Sequence, residues 1–185
     1  MAFRKVNDEE LLNSLMDTFR RVGYDGASLS QLSESTGLKK ASLYHRFPGG
    51  KEEMAEKVLG NVNLWIQENL VDVLTSEDPP IERLDTALDN INRLYDGGKD
   101  ACILRALSQG TGLKLFQKKI KENFEDWISG FKTLAEDFGV DPSDSWELAE
   151  DVIIKIQGSL ILSVTLKKPK IFKRTLEHIR SIFTA

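Results

Sequence analysis

Apolar residues return at steps of three and four along almost the whole chain, a periodicity that leaves little room for anything but helices. Leu11, Leu12, Leu15, Met16, Phe19 and Val22 make one stripe, closed by Gly23. Ser28, followed three residues later by Gln31, reads as a capping box opening a second helix, with Leu32 turned inward and Gly37 at its end. A third, short helix over about 39–46 has Leu43 and Phe47 as anchors, and Pro48-Gly49-Gly50 breaks the chain after it. A longer helix starts near Lys51 and carries Met54, Val58, Val62, Trp65, Ile66 and Leu70.

The pattern continues past Pro79-Pro80, which suits a first helical turn because a missing N–H does no harm there. Ile81, Leu84, Leu88, Ile91, Leu94 and Tyr95 follow, then a Gly97-Gly98 stop and a short helix over about 100–109. A long stripe of Phe116, Ile120, Phe124, Trp127, Phe131, Leu134 and Phe138 ends at Gly139. Asp141-Pro142 opens another helix to about Leu166, and Pro169 begins the last, with Ile171, Phe172, Leu176, Ile179 and Phe183. No alternating run bounded by turns suggests a strand. The expected fold is all-α, with nine helices.

Composition narrows the function classes. With 185 residues and 41% hydrophobic content the chain can bury a real core. Its one cysteine, Cys102, excludes an internal disulfide and favours a reducing, cytoplasmic setting. No stretch approaches the ~18 uninterrupted apolar residues of a membrane span. Two histidines and one cysteine give no cluster for a metal. Gly49-Gly50-Lys51 is not a nucleotide loop, since His45 and Glu52 stand where that motif needs Gly and Ser or Thr. No catalytic constellation is visible, so neither enzymatic activity nor a cofactor is expected. Cys102 reads either as a small buried apolar residue or as a redox sensor.

Charge is unevenly placed. The net charge is -4, yet residues 36–51 hold Lys39, Lys40, Arg46 and Lys51 and no acid. Residues 23–51 read helix, three-residue turn (Thr36-Gly37-Leu38), short helix, which is a helix-turn-helix arrangement. The second helix is too short and polar to be mainly core. Its outward positions are Lys39, Lys40, Ala41, Ser42, Tyr44 and His45. Small Ala41 and Ser42 let a helix approach base edges, while lysine, tyrosine and histidine donate to phosphates and groove atoms. Lys51 stands at a helix N-terminus, where backbone N–H groups favour a phosphate.

The segment GYDGASLSQLSESTGLKKASLYHRFPGGKEEM resembles the DNA-binding region of TetR-family transcriptional repressors. Gly23, Tyr24, Ser28, Gly37, Leu38, Leu43, Tyr44, Phe47 and Lys51 match the family pattern, and the likeness spans residues 6–60. The Phe-Pro-Gly-Gly-Lys-Glu-Glu turn resembles a branch with an LmrA/YxaF-like C-terminal domain. Lys39 departs from the family's Ser or Thr cap and Ser30 from a frequent Arg, which leaves the operator sequence open.

The resemblance implies a three-helix DNA-binding domain over 1–50 and an effector-binding and dimerisation domain over 51–185, linked by helix four. It places Lys40, Ala41 and Ser42 at bases, Tyr44, His45 and Lys51 at phosphates, and Ser28 and Ser30 as further phosphate contacts. Lys39 belongs to the same surface. Ser28 could equally be a cap alone, and Tyr44 a packing residue. It further implies an apolar pocket for a small-molecule effector, with Trp65, Ile66, Tyr95, Cys102, Leu107, Phe124, Trp127 and Phe131 as candidates; these residues also read as plain core. A homodimer is expected through Ile153, Gly158, Leu160, Ile161, Val164, Phe172, Leu176, Ile179 and Phe183, on helices that otherwise serve the chain's own core. The rival reading is a helical carrier of small molecules whose basic segment is incidental.

Overall fold

The computed structural model describes residues 7–184, and among them the chain forms nine helices and no strand. They are α1 (Asp8–Gly26), α2 (Leu29–Thr36), α3 (Lys40–Arg46), α4 (Gly50–Ile66), α5 (Pro80–Leu94), α6 (Ile103–Leu107), α7 (Gly110–Asp137), α8 (Pro142–Thr165) and α9 (Lys170–Phe183). Helix α4 runs on through a π-helical turn, Gln67–Val71, into Asp72–Leu74. None of the described helices is long and apolar enough to cross a membrane.

Two compact units form. One is the chain up to Asn63 together with Ile103–Ile120; the other is Leu64–Cys102 together with the chain from Lys121. The sequence suggested a break near residue 50. The difference arises because α6 packs on α1 and the first turns of α7 meet the end of α1, which takes both into the N-terminal unit.

The N-terminal unit is built on Leu11, Leu15, Phe19, Leu32, Leu43, Met54, Leu59 and Phe116, all buried. Asn7 caps α1 through the Glu9 N–H at 2.7 Å. Gly23 takes a left-handed φ of 70°, which kinks the helix before its last residues and turns Tyr24 inward. Burying a leucine such as Leu32 in this small unit is worth about 2–5 kcal/mol against alanine.

The second unit buries Leu84, Ile91, Tyr95, Trp127, Phe131, Val152, Ile156, Phe172 and Ile179. The Tyr95 ring meets Phe172 edge-on at 5.9 Å, and Phe183 packs between Phe131 and Phe138. Two buried polar side chains close helix ends and irregularities. Arg83 donates to the Leu74 carbonyl at 2.8 Å and to Asp137 at 2.7 Å. Asn90 donates to the Asn69 carbonyl, inside the π-helical turn, at 2.8 Å.

Helices α8 and α9 pack on each other. Ile153, Leu160, Phe172, Leu176, Ile179 and Phe183, expected at the partner surface, are instead buried within their own chain. Val164 is half-buried, and Gly158 and Ile161 are exposed. The apolar surface lies instead on a second face of α8. Ile154, Ile161, Leu162 and Leu166 are 66%, 45%, 51% and 51% exposed. A groove of about 530 Å³ runs beside it, lined by Ile154, Gly158 and Leu162 of α8 and by Ile171, Thr175 and His178 of α9.

Gly98 closes the loop before α6. It has φ +93°, its carbonyl accepts from Ser163 Oγ at 2.6 Å, and a Cβ there would collide with Phe172 and lie 2.8 Å from Ser163 Oγ. Gly98→Ala is therefore expected to cost about 1–3 kcal/mol through overpacking, read as a lower urea midpoint with an unchanged denaturant slope.

Candidate nucleic-acid interface

Helix α2 starts from a complete capping box. The Gln31 N–H donates to Ser28 Oγ at 3.2 Å, and the Ser28 N–H donates to Gln31 Oε1 at 2.9 Å. Gly37 ends it in the left-handed region at φ 67°, and Thr36 Oγ1 donates back to the Leu32 carbonyl at 2.7 Å. Three residues later α3 begins. Leu43 and Phe47 turn inward beneath it, as expected from their spacing.

That leaves one polar surface outward. Lys39, Lys40, Ala41, Ser42, Tyr44 and His45 are all exposed. Lys39 is the N-cap residue of α3 and makes no side-chain cap bond there. Arg46, at the far end, pairs with Asp8 at the start of α1 at 3.0 Å. The surface is thus cationic at its leading end and small in its middle, a shape suited to a groove of double-stranded DNA.

Beside it lies a cleft of about 540 Å³ that brings Ser28, Tyr44 and Lys51 together, with Pro48, Gly49 and Gly50 forming one wall. Gly50 holds φ +68°, which lets the chain turn from α3 into α4. Lys39 and Ser42 line a second cleft, of about 670 Å³, with Glu10, Asn13 and the turn 34–38. Ser30 is exposed on α2 and lines neither cleft.

Lys51 has a role beyond the one expected of it. Its Nζ donates to the Tyr24 carbonyl at 2.9 Å and stands 4.3 Å from the centre of the Tyr24 ring. One of its three N–H groups is spent on the protein, and the others remain for an anion. Burial, with help from Glu52 and Asp25, pushes the Tyr24 hydroxyl above its ordinary range. Two further features were not read from the sequence. The Gly49 N–H donates to Glu53 at 2.8 Å, which caps the start of α4. Asp25 Oδ2 accepts from the Thr111 N–H at 2.9 Å.

The residues expected around an effector fall in several places. Ile66, Tyr95, Cys102, Trp127 and Phe131 are buried in the second unit, and Trp65 and Phe124 are half-buried there. Leu107 is buried in the other unit, with α1 as its neighbour, and so separates from the rest. The Trp127 indole N–H is buried and has no hydrogen-bond partner, as does the amide of Gln157. Among the described residues no cluster of His, Cys, Asp or Glu is placed to hold a metal.

A capped helix, a glycine turn and a short exposed cationic helix define the helix-turn-helix class of DNA-binding proteins. Residues 11–58 match the sequence profile of the bacterial regulatory proteins of the tetR family. It is 26% identical over 163 residues to the HTH-type transcriptional regulator LmrA of Bacillus subtilis (strain 168), covering 86% of this chain and 87% of that one. To the uncharacterized HTH-type transcriptional regulator YxaF of the same organism it is 22% identical, over 90% of each chain. The fold is similar to the crystal structure of a TetR transcriptional regulator from Legionella pneumophila, with a TM-score of 0.81, 21% identity and coverage of 98% and 99%. It is similar also to the regulator CifR complexed with double-strand operator DNA, with a TM-score of 0.74, 20% identity and coverage of 100% and 99%.

Replacing Ser28 tests the cap directly. Ser28→Ala is expected to lower stability by about 1 kcal/mol, and Ser28→Asp to retain it; urea unfolding of the two variants compares them.

Proposed function

We propose that the protein is a transcriptional repressor that binds a near-palindromic operator as a homodimer and leaves it when a small-molecule effector binds. The observation that carries this reading is the exposed run from Lys39 to His45 on α3, set beside a cleft where Ser28, Tyr44 and Lys51 converge. The second helix of such a motif enters the major groove, with its first residues on base edges. Lys40, Ala41 and Ser42 occupy those first positions. Tyr44, His45, Lys51, Ser28 and Ser30 would meet phosphates, and Lys39 would flank the same surface. LmrA's description as a transcriptional regulator and CifR's complex with operator DNA support the same reading.

A second copy would bind over Ile154, Gly158, Ile161, Leu162 and Leu166 of α8, because an apolar strip this exposed is costly in water. An effector would bind in the second unit, where the unpaired Trp127 N–H offers a donor. Since coupling is reciprocal, operator DNA must weaken effector binding by the factor by which the effector weakens DNA binding.

Selection of duplexes from a random library by purified protein is expected to enrich a palindrome. Lys40→Ala should lose that enrichment while staying dimeric. No enrichment at low salt from a folded dimer would overturn the repressor reading and leave a carrier of small molecules. Lys51→Ala should weaken binding to all duplexes alike and lower the salt slope by about one unit. Ile161→Asp should shift sedimentation towards the monomer; an unchanged dimer would remove α8's outer face from the contact.

A further inference from the structure

Asp25 makes no contact with the surface that α3 presents, yet its carboxylate is tied to a residue 86 positions further on. We propose that Asp25 is a positioning residue for DNA binding: by capping the first turn of α7 it fixes the Gly23–Ser28 corner, from which Tyr24 holds Lys51 and Ser28 opens α2. The assignment rests on the DNA-binding reading above.

The start of α7 is poor in capping residues. Gln109 precedes it, a residue type that caps poorly, and its first turn holds no acid. The leading N–H groups of a helix lack partners within it and must find them elsewhere. Asp25 supplies one by accepting from the Thr111 N–H, and the Thr111 hydroxyl joins it. These two donors, with smaller help from Lys51 and Lys114, hold the Asp25 carboxyl below its ordinary value, so the ionised form makes the contact.

The approach is built around two positions without side chains. A Cβ on Gly110 would run into the Asp25 carboxylate, and φ +54° there already favours glycine. A Cβ on Gly112 would lie 2.6 Å from the Leu107 carbonyl and 3.0 Å from Tyr24 Cβ. One turn further, Phe116 meets the Tyr24 ring edge-on at 5.3 Å. Neighbouring residues of one corner thus attach to α7, one by charge and one by its ring. The same corner carries the carbonyl that orients Lys51 and runs directly into the Ser28 cap. Loosening it would displace two walls of that cleft together.

A cap that only stabilises and a cap that positions make different predictions. Asp25→Ala removes both charge and acceptor, whereas Asp25→Asn removes the charge and keeps an acceptor. The full chain and both variants would be titrated with the duplex enriched by the wild type. Thermal midpoints and amide exchange at Thr111 would be followed alongside. Expected is about fivefold weaker binding by Asp25→Ala than by Asp25→Asn. Thr111 should exchange faster in the Ala variant alone. Equal affinities of the two folded variants would overturn the assignment and leave Asp25 a stabilising cap, whatever happens to the midpoint. A wild type that enriches no duplex would overturn the DNA-binding reading and this assignment together.

Discussion

The ring of Tyr24 is the point on which the N-terminal unit closes. Short helices bury little surface each, so a corner between three of them needs one large side chain that all can touch. Tyr24 stacks on Phe19 at 6.3 Å, takes Phe116 edge-on and lies under the Lys51 ammonium. Its backbone carbonyl holds the same ammonium. None of this is reachable for a helix that continues straight. The left-handed turn at Gly23 brings the ring inside, and a side chain at that position would be strained. The match of Gly23 and Tyr24 to the family pattern therefore has a mechanical content that concerns packing first and nucleic acid only through it.

The second unit solves a different problem, that of backbone groups left over where helices end or bulge. Arg83 is almost wholly buried and spends its guanidinium on the Leu74 carbonyl and the Asp137 carboxylate. Asn90 does the same for a carbonyl in the π-helical turn. Removing either would leave buried acceptors unmet, which costs more than the bonds contribute. Polar residues on the inner side of α5 are thus part of how the end of α4 is held.

Most helices were legible in the sequence because their apolar residues recur with one period and their ends carry recognisable caps. Ser28 with Gln31 and Asp141 with Pro142 open α2 and α8 as their chemistry requires. The start of α7 was not legible. Its stripe begins at Phe116, but the helix begins at Gly110, and the group that caps it comes from Asp25, far away in the chain. The α3 surface could be read because exposed small and basic residues on a short helix have few other uses. The outer face of α8 could not. That helix is apolar on two faces, and hydrophobicity alone does not say which of them its own chain covers. Ile153 and Leu160 went inside and Ile154 and Leu162 outside, a choice made by the packing of α9. Leu107 joins the core of the N-terminal unit, and an apolar residue on a short helix carries no mark of which core it joins.

The π-helical turn after α4 has a consequence for how this helix can vary. Ile66, Leu70 and Leu74 recur at steps of four and are all buried. A regular helix turns by about 100° per residue, so each such step drifts by about 40°. Two steps would carry the last leucine well round towards the surface. The wider turn over Gln67–Val71 takes up that phase error, and the Asn69 carbonyl, handed to Asn90, is one group the wider turn leaves to a neighbouring helix. Deleting one residue here would give a regular turn with Ile66 and Leu74 seven residues apart, a rotation of about 700°, so both would stay on one face. The wider turn therefore works as a spacer, adding a residue to the helix without changing which of its sides is buried.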